Sequence, residues 1–178
     1  MAIENPYEAP KARLTESIAQ ANASETDDFE YVGFWPRVGA SIIDTIILLI
    51  ITVPLLVSIY GWEYFTDLDT PLIAGPADFL LSWVLPGIAV ILFWLYKQAT
   101  PGKMVVSARV VDARTGNTLT VGQSIGRYLA YFIAMLPLFL GIIWVAFDPR
   151  KQGWHDKLAG TVVIRPKHHS QNPVRFEP

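Results

Sequence analysis

Between Gly33 and Ile51 the chain is almost wholly apolar, and the run goes on to Tyr60 without a further charge. Such a run has few places to go. As a helix from about Val38 to Tyr60 it covers roughly 30 Å, the thickness of a bilayer hydrocarbon core. Two charges interrupt it: Arg37 where it begins and Asp44 inside it. A seven-residue step returns to nearly the same helical face and climbs roughly 10 Å, so both side chains point the same way. Ser41 and Thr45 lie near that face, within reach of Asp44. An acid near the centre of a spanning helix costs about 2.5–3.5 kcal/mol on insertion scales, and less towards an end. Two readings of Asp44 follow. It is an ion or proton site, or it is one half of a structural charge pair with Arg37.

Two further apolar stretches follow the first. Phe79 to Tyr96 has no charge, and Pro86-Gly87 is expected to bend it. Tyr128 to Phe147 is long enough to span but is interrupted by Pro137 and Gly141. The loop at 61–78 is acidic, with Glu63, Asp67, Asp69 and Asp78 and no Lys or Arg. The segment 97–127 is basic, with Lys97, Lys103, Arg109, Arg114 and Arg127, and so is the stretch from Arg150 to Lys167. Positive residues collect on the cytoplasmic side. The rule therefore places both basic segments and the N-terminus inside, and the acidic loop outside. One crossing by 128–147 would export the second basic segment. The stretch is therefore read as a hairpin of two short helices, about 121–136 and 138–147, with a single kinked span as the alternative.

Short polar elements fill the rest. Thr100-Pro101-Gly102 reads as a turn, and Met104 to Val111 as a strand rich in β-branched residues. Gly160 to Arg165 reads as a second strand that needs a partner, and 104–111 is the obvious one. Thr120 with Gln123 three residues later has the pattern of a capping box. Phe29, Tyr31, Phe34 and Trp35 cluster before the first span, where rings favour the headgroup layer. Pro36 suits the first helical position. Residues 1–30 hold seven acids against Lys11 and Arg13 and read as a disordered tail. They lack a basic start followed by an apolar core, so no signal peptide is expected. The expected organisation is a tail at 1–30, a membrane domain at 31–165 and a polar tail at 166–178.

Composition narrows the function classes. The chain is 52% hydrophobic with mean hydropathy +0.33, too apolar for an ordinary soluble domain. A net charge of −2 argues against a nucleic-acid partner. With no cysteine, disulfide and thiol chemistry are excluded. There is no nucleophile elbow, phosphate-binding glycine loop or His-Glu zinc motif, so no enzyme and no cofactor are expected. His168-His169 lacks further ligands and is not read as a metal site. Lys103 follows a Pro-Gly turn and reads as exposed, within reach of lipid headgroups, as do Arg150 and Lys151. His155 would titrate near neutral pH if exposed; beside Trp154 the packed reading competes. Ser41, Ser58 and Ser82 are read as helix-packing hydroxyls.

The ordered set Gly33-Phe34-Trp35-Pro36-Arg37 with Ile43-Asp44, Gln98-Ala99-Thr100-Pro101-Gly102-Lys103, Arg109-Val110-Val111-Asp112, and Gln152-Gly153-Trp154-His155-Asp156-Lys157-Leu158-Ala159-Gly160-Thr161 resembles the RDD family of bacterial and archaeal membrane proteins. The resemblance covers roughly 31–165. The family is named for one arginine and two aspartates, and Arg37 and Asp44 match the first two. For the third, Asp156 is the choice and Asp148 the alternative. The resemblance implies a multi-pass protein of the bacterial inner membrane. It also implies transport, with cation/proton exchange attributed to some members. The expected fold is all-α and integral to the membrane: two full spans, a Pro-broken third segment and a small cytoplasmic β element. The expected site is a network of Arg37, Asp44 and Asp156 at the cytoplasmic mouth. Two function classes stand: a transporter working through Asp44, and a non-transporting anchor or accessory subunit of a larger membrane complex. Expected partners are membrane lipid and a second copy or another membrane protein.

Overall fold

In the computed structural model, residues 29–67, 69 and 71–167 are described. The acidic segment through Asp28 and the His168-His169 pair lie outside them. Strand β1 (Phe29–Tyr31) leads into helix α1 (Phe34–Tyr60), and a single helical turn, α2 (Glu63–Thr66), follows. Helix α3 comprises Pro76–Phe79, a π-helical turn at Leu80–Val84, and Leu85–Lys97. Helix α4 (Pro101–Val105) and strand β2 (Arg109–Asp112) come next, then helix α5 (Val121–Met135). Helix α6 (Leu140–Ile143) runs into a 3-10 turn at Trp144–Ala146, followed by helix α7 (Trp154–Leu158) and strand β3 (Thr161–Pro166).

Helix α1 starts four residues before the expected span, so Pro36 falls in its third position rather than its first. The N–H that proline lacks there has no helical acceptor to lose. The helix continues through Pro54. In α3 the π turn sits just ahead of Pro86. That residue has no N–H to give back to Ser82, and the Leu85 N–H reaches Leu80 O instead. Helices α1 and Pro76–Val105 are each long and apolar enough to cross a membrane.

The third apolar stretch turns back. Helix α5 begins at the capping box: the Gln123 N–H donates to Thr120 Oγ1 and the Thr120 N–H to Gln123 Oε1. It ends before Pro137, and the chain turns by 114° between Met135 and Leu140. Leu138 and Phe139 make that turn in the left-handed region. Gly141 is required beside it, because a Cβ there would stand 2.8 Å from Ala134 Cα.

The three strands form a common layer. They make one antiparallel sheet in the order β1-β3-β2, with Phe29 opposite Pro166 and Arg109 opposite Ile164. The pairing of the middle loop with the C-terminal strand agrees with the sequence reading, but its extent does not. Met104 and Val105 are helical because Pro101 suits the first turn of α4 and Asp44 Oδ1 accepts the otherwise orphan Gly102 N–H. Phe29 and Glu30 belong to the sheet rather than to the tail: Arg165 Nε donates to Glu30 Oε1 at 2.5 Å. Val32, Trp94, Ala108, Val110, Leu119 and Val163 form the buried apolar cluster between the sheet and the helices.

Candidate functional site

The first turn of α1 carries Arg37 to the seam between helices and sheet. Its Nε donates to Val32 O at 3.0 Å, Nη2 to Lys151 O at 2.6 Å, and Nη1 to Asp156 Oδ2 at 2.6 Å. Every guanidinium nitrogen therefore has an acceptor, the fork geometry that suits arginine to a partly buried carboxylate. Asp156 has no exposed surface. It stands in the first turn of α7, where the Gly153 N–H also donates to its Oδ2 at 3.0 Å. A carboxylate at a helix start satisfies an otherwise orphan N–H.

The other carboxylate oxygen meets a cation that the sequence reading had counted only as part of the basic loop. Arg127, on α5, has no exposed surface, and its Nη2 lies 2.6 Å from Asp156 Oδ1. Its Nη1 donates to Thr161 Oγ1 in β3. The guanidinium also sits 5.1 Å from the centroid of the Trp94 ring and 5.9 Å from that of Tyr131. A signal was present in the sequence. Ser124, Arg127, Ala130 and Ala134 share one face of α5, and small residues mark a face that packs closely. Asp156 thus bridges two arginines. Burial alone would raise its pKa, but Arg127 and Arg37 outweigh burial and hold the carboxyl well below the ordinary carboxylate range.

His155 stacks on Tyr131 with ring centroids 3.9 Å apart, and its Nε2 is 3.5 Å from Asp156 Oδ1. It is buried, and burial pushes its pKa down to about 3 despite the nearby carboxylate. It does not titrate near neutrality. Asp148 stands apart: it pairs with Lys157 and accepts from the Arg150 and Gln152 N–H groups. It is Asp156, not Asp148, that meets Arg37.

Asp44 corrects the expected three-residue network. It points along the same helix as Arg37 but engages the start of α4. Thr100 Oγ1 donates to its Oδ2 at 2.5 Å, and the Gly102 N–H to its Oδ1 at 2.7 Å. The two turns between Arg37 and Asp44 are enough for each to reach a different element. Gly102 permits this contact, since a Cβ there would lie 2.0 Å from Ala40 O. Thr45 Oγ1 donates to Ser41 O, not to Asp44.

Lys103 is also corrected. It is 8% exposed rather than open to headgroups, because α4 packs against α1 and turns its side chain inward. Its Nζ lies 6.0 Å from the centroid of the Trp94 ring, and among the described residues it makes no hydrogen bond or ion pair. It projects between two cavities, one of about 510 Å³ and one of about 300 Å³. Both are also lined by Ser41, Thr45, Tyr131 and Met135. The larger has Arg37, Lys103 and His155 at one end and Ile42, Ile46, Phe139, Ile142 and Ile143 along its wall. No cluster of acids and histidines suited to a metal ion occurs among the described residues.

The model for the RDD family matches residues 31–160. An uncharacterized membrane protein of Bacillus subtilis, YteJ, is 32% identical over 146 residues, covering 77% of this chain and 82% of its own length. An uncharacterized protein of Rickettsia prowazekii is 44% identical over 75 residues, 42% of this chain and 41% of that protein. A proline-rich antigen homolog of Mycobacterium tuberculosis is 33% identical over 92 residues, 48% of this chain and 38% of that protein. The chain therefore spans well under half of the Rickettsia and Mycobacterium relatives and most of YteJ. No solved structure matches.

Proposed function

The chain belongs to the RDD family of membrane proteins, and on that premise we propose that it is a membrane-embedded carrier that takes a small, chain-bearing ligand into the cavity between α1 and the α5–α6 turn. One observation carries this reading: the cavity of about 510 Å³ with an apolar wall and a cationic end. Ligand sites are typically apolar clefts of about 300–1,000 Å³ with a few convergent polar groups. The wall residues Ile42, Ile46 and Phe139 are themselves exposed, so the cavity is continuous with the apolar surface of the helices. A ligand would enter sideways from the bilayer.

The positive-inside rule supports one orientation. Arg109, Arg114, Arg150 and Arg165 gather around the sheet, and Glu63, Asp67, Asp69 and Asp78 lie at the other end of α1. The sheet side is then cytoplasmic, with α5 and α6 forming a hairpin that enters and leaves from that side. The polar end of the cavity lies at the inner leaflet of the cell membrane.

Cation/proton exchange at Asp44 has less support. Both carboxylate oxygens already accept hydrogen bonds from α4, and the neighbouring cavities present Lys103 and Arg37 rather than further acids. Sodium-dependent proton flux in proteoliposomes that vanishes in Asp44→Asn would restore that reading.

The cavity itself is tested with an uncharged alkyl diazirine probe dissolved in phosphatidylcholine vesicles that hold the full chain. After photolysis, peptide mass spectrometry should find Ile46, Met135 and Ile142 labelled above the bilayer-facing residues Leu49, Ile50 and Leu92. Labelling no stronger in the cavity than on those surfaces would overturn the proposal.

A further inference from the structure

We propose that the occupant is an anionic phospholipid, held with its phosphate against Lys103 and an acyl chain along the Ile42–Ile46 face of α1. The inference rests on the cavity being the ligand site and names the ligand class.

The charge count comes first. The charged groups on and near the two cavities are Arg37, Arg127 and Lys103 on the positive side, and Asp44 and Asp156 on the negative side; Arg37 and Asp44 are half-buried and the other three buried. His155 is neutral. Asp156 is shared by the two arginines, and Asp44 is bonded to Thr100 and Gly102. One positive charge is left over, and of the three cations Lys103 is the one with no hydrogen bond or ion pair among the described residues. Lys103 is 8% exposed and borders both cavities. Burying an unpaired charge is costly unless a counter-charge completes it. The ring of Trp94, with its centroid 6.0 Å away, supplies only part of that compensation. An anion in the cavity would supply the rest.

The second observation identifies the anion as the head of an amphiphile rather than a free ion. The wall beyond Lys103 is apolar: Ile42, Ile46, Ile142 and Ile143. From Arg37 to Ile46 it runs roughly 14 Å along α1, away from the charges. A small hydrated anion would leave that length unfilled, whereas a lipid fills both parts. The inner leaflet is rich in anionic lipid, so the occupant is present at the mouth of the cavity.

The test uses the full chain reconstituted in vesicles of equal parts phosphatidylglycerol and phosphatidylcholine. The chain is then released into mild detergent, and retained lipid is counted by native mass spectrometry. The wild type should retain phosphatidylglycerol over phosphatidylcholine by roughly tenfold, the scale of one charge-assisted contact. Lys103→Met, similar in shape but uncharged, should retain the two equally, and Lys103→Arg should keep the preference. Ile46→Trp, which fills the apolar wall, should lose both lipids with Lys103 still present. Equal retention by the wild type, or an unchanged preference in Lys103→Met, would overturn the inference. If the diazirine probe labels the cavity but phosphatidylglycerol is not selected, the ligand class alone fails. If the probe does not enter, the cavity reading fails as well.

Discussion

Acidification should weaken this protein through one side chain, His155. Folding places its imidazole against Tyr131 and among Asp156, Arg127, Arg37 and Lys103, with three cations against one carboxylate. Burial is the largest influence, and the folded pKa falls to about 3. In the unfolded chain it returns to about 6.5. Between those values the unfolded state binds a proton that the folded state refuses, so stability falls as pH falls through this window. At pH 5 the gap from the unfolded value is about 1.5 units, or about 2 kcal/mol. The carboxylates do not obscure the window. Asp156, Asp148 and Asp112 all have lowered pKa values when folded, so their stabilisation is complete above their unfolded values near pH 4 and is lost only at lower pH. The assay is equilibrium unfolding by dodecyl sulfate titration from mild detergent at pH 7 and pH 5, for the wild type and His155→Phe. Phenylalanine keeps the stack on Tyr131, and His155 Nδ1 has no hydrogen bond to lose. The wild type should lose about 2 kcal/mol more than the variant between the two pH values. Equal losses would refute the assignment of a buried, neutral imidazole.

Two further variants probe the contacts around it. Asp156→Asn leaves Arg127 buried and Arg37 nearly so without a carboxylate, and should cost about 3–5 kcal/mol in the same unfolding titration; a change under about 1 kcal/mol would show that the ion pairs are not formed. Gly102→Ala places a Cβ 2.0 Å from Ala40 O and should cost about 3 kcal/mol or more, whereas Gly122→Ala, with nothing within 4 Å, should be near neutral on packing grounds.

The sequence was informative where one segment decides its own structure. The length of α1, the capping box of α5 and the break at Pro137 are local signals. It was less informative where the decision belongs to a distant segment. Met104 and Val105 favour a strand, but Pro101 in the first turn and the Gly102 N–H bond to Asp44 favour a helix there. The Phe29-Glu30-Tyr31 triplet is too short to declare a strand, and becomes one because β3 has a free edge facing it. The seven-residue step from Arg37 to Asp44 correctly puts both on one face but says nothing of which element each will meet.

The cations show this limit best. On a segment such as 97–127, five basic residues look interchangeable, yet Arg127 and Lys103 are buried in the structure and Arg109 and Arg114 are exposed. Arg127 is accounted for by its ion pair with Asp156 and its bond to Thr161, contacts that tie α5 to α7 and β3. Arg37 ties α1 to the same carboxylate. These two arginines and one aspartate suffice to hold the first span, the hairpin and the sheet together, and Asp44 separately fastens α4. None of that fastening uses Lys103, whose neighbour Gly102 already makes the close contact with α1. A methionine there would fill much the same space without a buried charge. Hydrogen bonds and ion pairs thus engage Arg37, Arg127, Asp44 and Asp156, whereas Lys103 makes neither among the described residues and borders the cavities.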